Sequence, residues 1–410
     1  MIAVRRVLLL TDAYPPEIRS CPVLMKELAQ GLVERGFHVT VLTTWPTYNL
    51  TEEDRELYGR RLSNMVQTED GVRVIRVPVP PLHNVGPVVK GLSEAALPLL
   101  MSAAGSLVKA VDAVIVFSPP LSLGLAAAAL KVRFGCPIIL NVQDLMPQAA
   151  MDLGVLKNPL LVKAFEVLED RCYRHADRIT CHSEGNVDWL KTHRPAHAGK
   201  LEIVHNWVDV DGYQATEPDR EVRGRLGLDL KFVFLFGGVM GFAQDLDTVV
   251  EAARRLDDRK DMAFLLVGDG VARERVEAAA MGLTNVVFHP FVAPERYVGW
   301  LRAMDAGLVT LRAETRTPVI PSKILGFMAS GLPYLAVLGG HSDARRLTAN
   351  GRCGVMAEPG DPDDVVRAAL KLAGDRKKAA GMGRRGLEYC RRHFSRTACI
   401  DRYVRLLETL

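Results

Sequence analysis

Short apolar runs alternate with amphipathic stretches along most of the chain. Residues 7–10 and 38–43 are apolar runs, and between them Leu24, Leu28 and Leu32 recur at every fourth position. A continuous apolar run is typical of a strand covered on both faces, whereas a spacing of four predicts an amphipathic helix. Strand, helix and strand in this order predict a parallel sheet.

The same pattern continues through two halves separated by a linker at 206–209. The predicted strands are 72–77, 113–117, 137–142, 178–181 and 201–204 in the first half, and 231–236, 263–267, 285–288, 306–311 and 334–338 in the second. Arginines interrupt the run 72–77, which predicts a partly exposed strand. The order predicts an α/β protein with two doubly wound domains. We expect these domains at 1–208 and 209–385, and a helix at 386–410 that returns to the first domain.

Composition and charge exclude several classes of protein. The chain has 410 residues, 48% hydrophobic and 24% charged, with a net charge of +4. This balance is ordinary for a globular protein, and because no basic stretch is interleaved with aromatic residues, we expect no nucleic-acid partner. The seven cysteines are scattered without a Cys-x-x-Cys pair, which favours reduced thiols in the cytoplasm. The longest apolar stretch, 95–108, is too short to span a bilayer.

The segment 317–333 predicts one short helix between two strands. Pro321 suits the first helical position, and Gly331 suits the position after the last one. A helix N-terminus has free N–H groups and a positive dipole end, which attract an anion. Ser322 adds a hydroxyl and Lys323 adds a charge. We expect a phosphate here, although an ordinary turn with an exposed lysine is the alternative.

Two glycine-rich turns follow strands of the same half. They contain Gly237, Gly238 and Gly241 in the first turn, and Gly268 and Asp269 in the second. Glycines let a ligand approach the backbone, although a tight turn that needs positive φ would also explain them. Ligands of open α/β sheets bind beyond the carboxyl ends of the strands. Since both turns and the predicted helix N-terminus lie at such ends, together they predict a site for a nucleoside diphosphate.

A third glycine motif is a false match. Residues 381–386 fit the dinucleotide-binding pattern, but the charged residues before them predict a helix rather than the strand that the pattern requires. We therefore expect these glycines to be structural.

Two acids are candidate catalytic groups. Asp144 follows the predicted strand 137–142, at the end where a catalytic group would face a cleft, or where it would cap a helix or turn. Glu314 lies in a loop of the second half, where a solvated surface acid is the alternative. The histidines at 193, 197 and 205 lack the spacing of metal ligands on one helix.

Several motifs carry a resemblance to a known family. They are Asp-Ala-Tyr-Pro-Pro-Glu at 12–17, Arg-Gly-Phe-His-Val-Thr-Val-Leu-Thr at 35–43, Thr-Trp-Pro-Thr-Tyr at 44–48, Phe-Ser-Pro-Pro-Leu at 117–121, Gln-Asp-Leu-Met-Pro at 143–147, His-Asn-Trp-Val-Asp at 205–209, Gly-Phe-Ala-Gln-Asp-Leu at 241–246 and Pro-Ser-Lys at 321–323. Over nearly its whole length the chain resembles the retaining glycosyltransferases of family 4. It is most similar to bacterial enzymes that add N-acetyl-fucosamine-type sugars during surface polysaccharide assembly.

The resemblance implies a fold and a reaction. The fold is GT-B, with two facing Rossmann-like domains and a cleft between them. The reaction transfers a sugar, UDP-linked and of the N-acetylated deoxyhexose type, to a polyprenyl-diphosphate-linked glycan. It proceeds with retention and without a metal or other cofactor. Gln244, with the glycine turns, Ser322 and Lys323, would bind the donor, and Asp144 would orient the acceptor or the donor sugar.

The resemblance also implies a location. The enzyme would be cytoplasmic and would touch the inner face of the plasma membrane. The basic residues Lys131, Arg133, Arg171, Arg174 and Arg178 would form a membrane-facing surface together with the apolar stretch 95–108. A solvated charged surface beside a core helix is the alternative.

The chain departs from the family pattern at a few positions. Pro318 and Gly326 stand where the family has two acids, the second of which holds the ribose hydroxyls. Gly238 and Gln244 stand about where many relatives have Arg and Lys, so Lys323 becomes the expected phosphate partner.

Another departure lies in the first half. Arg19 and Ser20 replace a pair of glycines, and Arg19 is a candidate for binding a donor or acceptor phosphate.

Two other functions stay open at this point. A nucleotide-sugar epimerase of the same fold would need no acceptor. A non-catalytic nucleotide-sugar binder would be consistent with the missing acids.

Overall fold

A computed structural model describes residues 5–59, 65–80 and 85–410 of the chain. The chain divides into two compact units, which we call unit 1 and unit 2. Unit 1 extends to Asn206 and also contains Thr397–Leu410, whereas unit 2 comprises Trp207–Arg396. The first boundary lies two residues before the predicted one. The last segment, by contrast, joins unit 1 at residue 397 rather than at 386.

Unit 1 is built of alternating strands and helices. Its strands are β1 (Arg6–Leu10), β2 (His38–Thr44), β3 (Met65–Glu69), β4 (Val72–Val77), β5 (Ala113–Ser118), β6 (Ile138–Val142), β7 (Arg178–Cys181) and β8 (Leu201–Ile203). Its first helices are α1 (Ser20–Val33), α2 (Glu52–Tyr58), α3 (Pro87–Ala104), α4 (Leu123–Phe134), α5 (Gln148–Asp152), α6 (Pro159–His175) and α7 (Glu184–His193). Two 3₁₀ turns cover Gly105–Leu107 and Pro195–Lys200.

The unit 1 sheet has the order β3-β4-β2-β1-β5-β6-β7-β8, and its pairs are parallel except β3 with β4. The antiparallel strand β3 was not predicted, and it changes the environment of β4. Arg76 on β4 is only 1% exposed, because its guanidinium donates to Glu69 on β3 at 2.6 Å and to the carbonyl of Pro15 at 2.6 Å. The prediction that β4 is partly exposed at its arginines is therefore wrong for Arg76.

Unit 2 repeats the alternation. Its strands are β9 (Phe232–Gly237), β10 (Met262–Val267), β11 (Val286–His289), β12 (Ala306–Thr310), β13 (Tyr334–Val337) and β14 (Gly354–Ala357). Its helices are α8 (Val210–Ala215), α9 (Val222–Arg225), α10 (Leu246–Arg255), α11 (Arg273–Ala279), α12 (Pro294–Ala303), α13 (Ser322–Ala329), α14 (Ala344–Gly351), α15 (Pro362–Ala373) and α16 (Arg376–His393).

The unit 2 sheet is parallel, with the order β11-β10-β9-β12-β13-β14. Helices cover both faces, since Phe234 on β9 packs in one hydrophobic core and Leu235, the next residue, packs in the other. The strand order reverses between β9 and β12. That reversal is the topological switch point, beyond whose carboxyl ends ligands of such sheets bind. Both units thus have the predicted α/β fold.

The false dinucleotide motif lies inside α16, with no strand before it. A methyl group at Gly383 would lie 1.9 Å from the carbonyl oxygen of Gly331, so the glycine allows the helix to pack closely on a neighbouring loop. Because α16 continues without a break to His393, the predicted boundary at 385 falls within a helix of unit 2.

The last helix, α17 (Arg396–Glu408), packs on unit 1. Arg35, in the turn after α1, forms an ion pair with Asp401 at 2.6 Å, and Tyr403 is fully buried with its hydroxyl 3.5 Å from that of Thr180 on β7. Among the described helices of the whole chain, none has the length and apolarity that a bilayer crossing requires.

Candidate functional site

The two predicted glycine turns lie against each other at the carboxyl end of the unit 2 sheet. The N–H of Gly238 donates to the carbonyl of Val267 at 2.9 Å, and that of Met240 donates to the carbonyl of Asp269 at 2.8 Å. Gly268 has φ +143°, and a methyl group there would lie 1.9 Å from the carbonyl oxygen of Gly238. Only glycine fits at this contact. The two turns therefore form one continuous backbone surface.

Lys323 reaches this surface from α13. Its ammonium lies 4.8 Å from the centre of the Phe236 ring, and its Cε would lie 3.0 Å from a methyl group at Gly238. Within the described part of the chain, no carboxylate forms an ion pair with it. Burial lowers the pKa of this lysine to about 8. A cation at the switch point is thus left without a neutralising partner.

The start of α13 differs slightly from the prediction. Pro321 is the N-cap residue, with φ −57° and ψ 127°, and Ser322 is the first helical residue. No side chain caps this end, and Ser322 is exposed. The helix ends as predicted, because Gly331 adopts φ +73° just after it. The N–H of Ile324 donates to the carbonyl of Pro321 at 3.0 Å, so the N–H groups of Ser322 and Lys323 are the ones available to an anion.

The remaining predicted donor residues make local contacts. Gly241 accepts the N–H of Gln244 at 3.1 Å, and the side-chain oxygen of Gln244 is sealed from solvent without a hydrogen bond to any described residue. Asp269 is exposed, and its carboxylate accepts the N–H of Gly270 at 2.7 Å. None of these contacts includes Lys323, so these side chains stay predictions for the donor site.

Glu314 lies in the loop after β12, which bonds to the first glycine turn where the N–H of Arg312 donates to the carbonyl of Ala243 at 2.9 Å. The Glu314 side chain is exposed and forms no hydrogen bond or ion pair with the other predicted site residues described here.

One residue at the turn was missed by the sequence analysis. A methyl group at Gly237 would lie 1.9 Å from the hydroxyl oxygen of Tyr297 on α12. Nothing in the sequence distinguishes Tyr297 from any other amphipathic-helix residue. Burial, assisted by the nearby phenol of Tyr213, raises the pKa of Tyr297 well above its ordinary value, so its hydroxyl stays neutral.

In unit 1, Asp144 follows β6 as predicted. Asp144 caps no helix, since the N-cap of α5 is Pro147 and no side chain caps that end. The residue is exposed, yet desolvation of its carboxyl by the surrounding protein raises its pKa above the usual range. Beside it, the amides of Gln143 and Asn206 exchange hydrogen bonds of 2.6 and 3.0 Å. This pair fixes the backbone that presents the acid.

Arg19 and Ser20 lie at the start of α1. The guanidinium of Arg19 lies 3.0 Å from carboxylate oxygens of both Asp12 and Glu17, and these acids are only 5% and 4% exposed. Glu17 also accepts the N–H groups of Thr47 and Tyr48. Ser20 is exposed. The charge of Arg19 is already balanced within the protein, which disfavours its predicted role in phosphate binding.

Metal ligation was also considered. Within residues 5–59, 65–80 and 85–410, no three side chains of the His, Cys, Asp or Glu type are grouped closely enough to hold a metal ion.

Comparisons with known proteins identify the family. The model of the glycosyl transferase 4-like domain matches residues 23–207, and that of the glycosyl transferases group 1 matches residues 231–375. The chain belongs to this two-domain glycosyltransferase family. The glycine turns and Lys323 of this glycosyltransferase all lie within the group 1 match.

Individual relatives are distant. The glycosyltransferase is 28% identical to a D-inositol 3-phosphate glycosyltransferase of Streptomyces avermitilis over 62% of the chain, a match that spans only 56% of that relative. It is 24% identical to the putative colanic acid biosynthesis glycosyl transferase WcaI of Escherichia coli, over 78% of the chain and 79% of the relative. The crystal structure of Anabaena Alr3699/HepE in complex with UDP superposes with a TM-score of 0.70 at 16% identity. That match covers 99% of this chain and 100% of HepE, and it shows the same fold.

Proposed function

We propose that this glycosyltransferase moves a sugar from a UDP-linked donor to a lipid-linked glycan, with retention, during assembly of a bacterial surface polysaccharide. The observation that carries the donor half of the proposal is the unpaired ammonium of Lys323 against the joined glycine turns. A nucleoside diphosphate supplies the negative charge that such a site lacks. The UDP bound to HepE, a protein of the same fold, supports the choice of base.

The chemistry follows from this charge arrangement. The bond between the anomeric carbon and the β-phosphate oxygen breaks, and an acceptor hydroxyl oxygen forms its new bond to the same carbon on the same face. The proton of that hydroxyl passes to the departing diphosphate. Negative charge grows on the leaving diphosphate, where Lys323 and the N-terminus of α13 stabilise it. We propose that this requires neither metal nor cofactor, and that Asp144 orients the acceptor or the donor sugar.

The proposed acceptor is supported by the name of one relative and by an exposed apolar surface. WcaI is named for colanic acid biosynthesis, which favours a polysaccharide acceptor. An N-acetylated deoxyhexose is the sugar that we propose is transferred. The streptomycete relative is named for inositol 3-phosphate, so a small phosphorylated acceptor is the competing choice. Exposed leucines on unit 1 favour the lipid-linked acceptor.

These leucines lie on α3 and α6. Leu92 and Leu99 on α3 are 67% and 73% exposed, and Leu160 on α6 is 81% exposed. The basic residues predicted for this surface are only partly free, because Lys131 pairs with Asp177 and Arg174 pairs with Asp170. We therefore propose that exposed apolar side chains, more than the basic ones, hold the enzyme at the cytoplasmic membrane surface.

Product analysis tests the reaction. A panel of nucleotide sugars is incubated with bacterial lipid extract, and mass spectrometry is used to find a lipid-linked product. We expect a product with the wild type and none with Lys323→Ala. Formation of an isomeric nucleotide sugar from donor alone would instead identify an epimerase. Donor binding without turnover on any extract would identify a non-catalytic binder.

Vesicle sedimentation tests the membrane contact. We expect Leu99→Glu combined with Leu160→Glu to weaken binding to phosphatidylglycerol vesicles. Leu230→Glu is the matched control, because Leu230 is 91% exposed on unit 2. Equal vesicle binding by all three proteins would contradict the proposed surface.

A further inference from the structure

An unused hydroxyl lies one residue away from the lysine contact. Lys323 packs on Gly238, and the Tyr297 hydroxyl packs on the adjacent Gly237, where any side chain would collide with it. Tyr297 is half-buried, and its hydroxyl has no hydrogen-bond partner among the described residues while keeping access to solvent. The Tyr297 hydroxyl lies at the carboxyl end of β9, next to the switch point, and forms no hydrogen bond with the described residues. It is therefore available to a ligand.

Gly326, which stands where the resembled family has an acid, lies close to the helices that surround Tyr297. A methyl group at Gly326 on α13 would lie 3.4 Å from the hydroxyl of Tyr213 on α8. Gln214, the next residue of α8, donates to the carbonyl of Ala329 at 2.6 Å, and Arg302 donates to the carbonyl of Gln214 at 2.6 Å. Tyr213 thus fills the space opposite Gly326, and hydrogen bonds connect α8 to both α12 and α13.

We infer that the Tyr297 hydroxyl binds a ribose hydroxyl of the donor nucleotide, next to the phosphates held by Lys323. The inference rests on the proposed function. A neutral phenol both donates and accepts, as a ribose hydroxyl does, whereas a phosphate is matched better by the neighbouring ammonium. Since ribose is bonded directly to the phosphates, a phosphate at Gly238 brings the sugar to within reach of the adjacent residue.

Calorimetric titration of the full-length enzyme tests this inference. The probes are UDP, 2′,3′-dideoxy-UDP and inorganic pyrophosphate, and the variant is Tyr297→Phe, which removes one oxygen and keeps the ring. We expect the wild type to bind UDP about 3- to 10-fold more tightly than the dideoxy analogue, and this difference to disappear in Tyr297→Phe. Pyrophosphate affinity should be equal in the two proteins. Tyr334→Phe is the control, because its hydroxyl bonds to Thr348 at the opposite end of the sheet, and it should keep the wild-type difference.

The outcomes separate this inference from the proposed function. A full UDP-to-dideoxy difference in Tyr297→Phe would overturn the ribose contact alone. Loss of pyrophosphate affinity in the same variant would also overturn it, since the hydroxyl would then act on the phosphates. Failure of the wild type to bind UDP and every other nucleoside diphosphate would instead contradict the donor site as a whole.

Discussion

Arg19 in unit 1 and Lys323 in unit 2 are cations that follow strands of their sheets, and they have opposite surroundings. In unit 1, Arg19 lies between two buried carboxylates, those of Asp12 and Glu17. In unit 2, Lys323 faces an aromatic ring and a glycine turn, without an acid partner in the described structure. The charge of Arg19 is thus neutralised within unit 1, whereas that of Lys323 has no acid partner among the described residues.

This difference teaches how to distinguish a structural cation from a ligand-binding one. Both residues are basic, both follow a strand, and each stands at the start of a helix. What separates them is the number of carboxylates within 4 Å, a quantity that spacing along the sequence does not give. We therefore expect Arg19 to matter for stability and Lys323 to matter for binding and turnover.

The largest expected effect is on turnover. Replacing Lys323 by Met keeps the length of the apolar stem and removes the charge, so we expect kcat to fall about 100- to 1,000-fold. Replacing Arg19 by Met should change kcat less than about tenfold at a temperature where the variant is folded. Steady-state kinetics with saturating donor measure both, and equal losses in the two variants would erase the distinction between the cations.

The next effect concerns the glycine surface on which Lys323 depends. Gly268→Ala places a methyl group 1.9 Å from the carbonyl oxygen of Gly238 at φ +143°, so we expect unfolding free energy to fall by about 3 kcal/mol. Gly241→Ala is the matched control, because its nearest neighbouring atom would be 3.7 Å away and its φ is not positive. Thermal unfolding should show a lower Tm for the first variant only.

Replacing Arg19 should lower the stability of the protein more than it lowers turnover. Arg19→Met removes the cation that two buried carboxylates share, and we expect the free energy of unfolding to fall by about 2 kcal/mol, an effect moderated because the arginine is partly exposed to water. Urea denaturation of this variant and of Lys323→Met provides the comparison. If Lys323→Met were the less stable of the two, the assignment of structural and binding roles would be reversed.

The smallest effect is a pH dependence specific to unit 2. The pKa of Lys323 is lowered to about 8, so its charge is present at pH 7.5 and is lost as the pH rises toward 9.5. Because only the charged form attracts a diphosphate, affinity for UDP should fall about tenfold over this range. Lys323→Met should show no such slope, and a wild-type slope that persists in this variant would have to come from another group.

Much of the fold followed from the hydrophobic pattern. Apolar runs located β1, β2 and β9 because each is covered on both faces. The hairpin partner β3 was missed because its exposed alternation is weak, and Arg76 was then misjudged, since the strand that buries it had not been recognised.

The sequence predicted only those parts of the candidate site that carry a local backbone signal. Gly238, Gly268 and Ser322–Lys323 could be proposed from the sequence because glycine and helix-start signals are local. Tyr297 could not, since the contact of its hydroxyl with Gly237 depends on how α12 packs against a strand some 60 residues earlier. The pairing of Arg19 was hidden for the same reason, as Glu17 is fixed by backbone N–H groups of residues 47 and 48.

The return of the last helix to unit 1 has a consequence for how the gene is organised. Unit 2 is an insertion within unit 1, and its two ends are neighbours, since Val208 forms a β-bridge with Ser395 and donates to the carbonyl of Phe394 at 3.0 Å. A module whose ends meet can be exchanged as one cassette without lengthening either connection. The proposed donor site lies between these two points, so the segment that carries it can be replaced in a single recombination event while the remaining sequence is inherited intact.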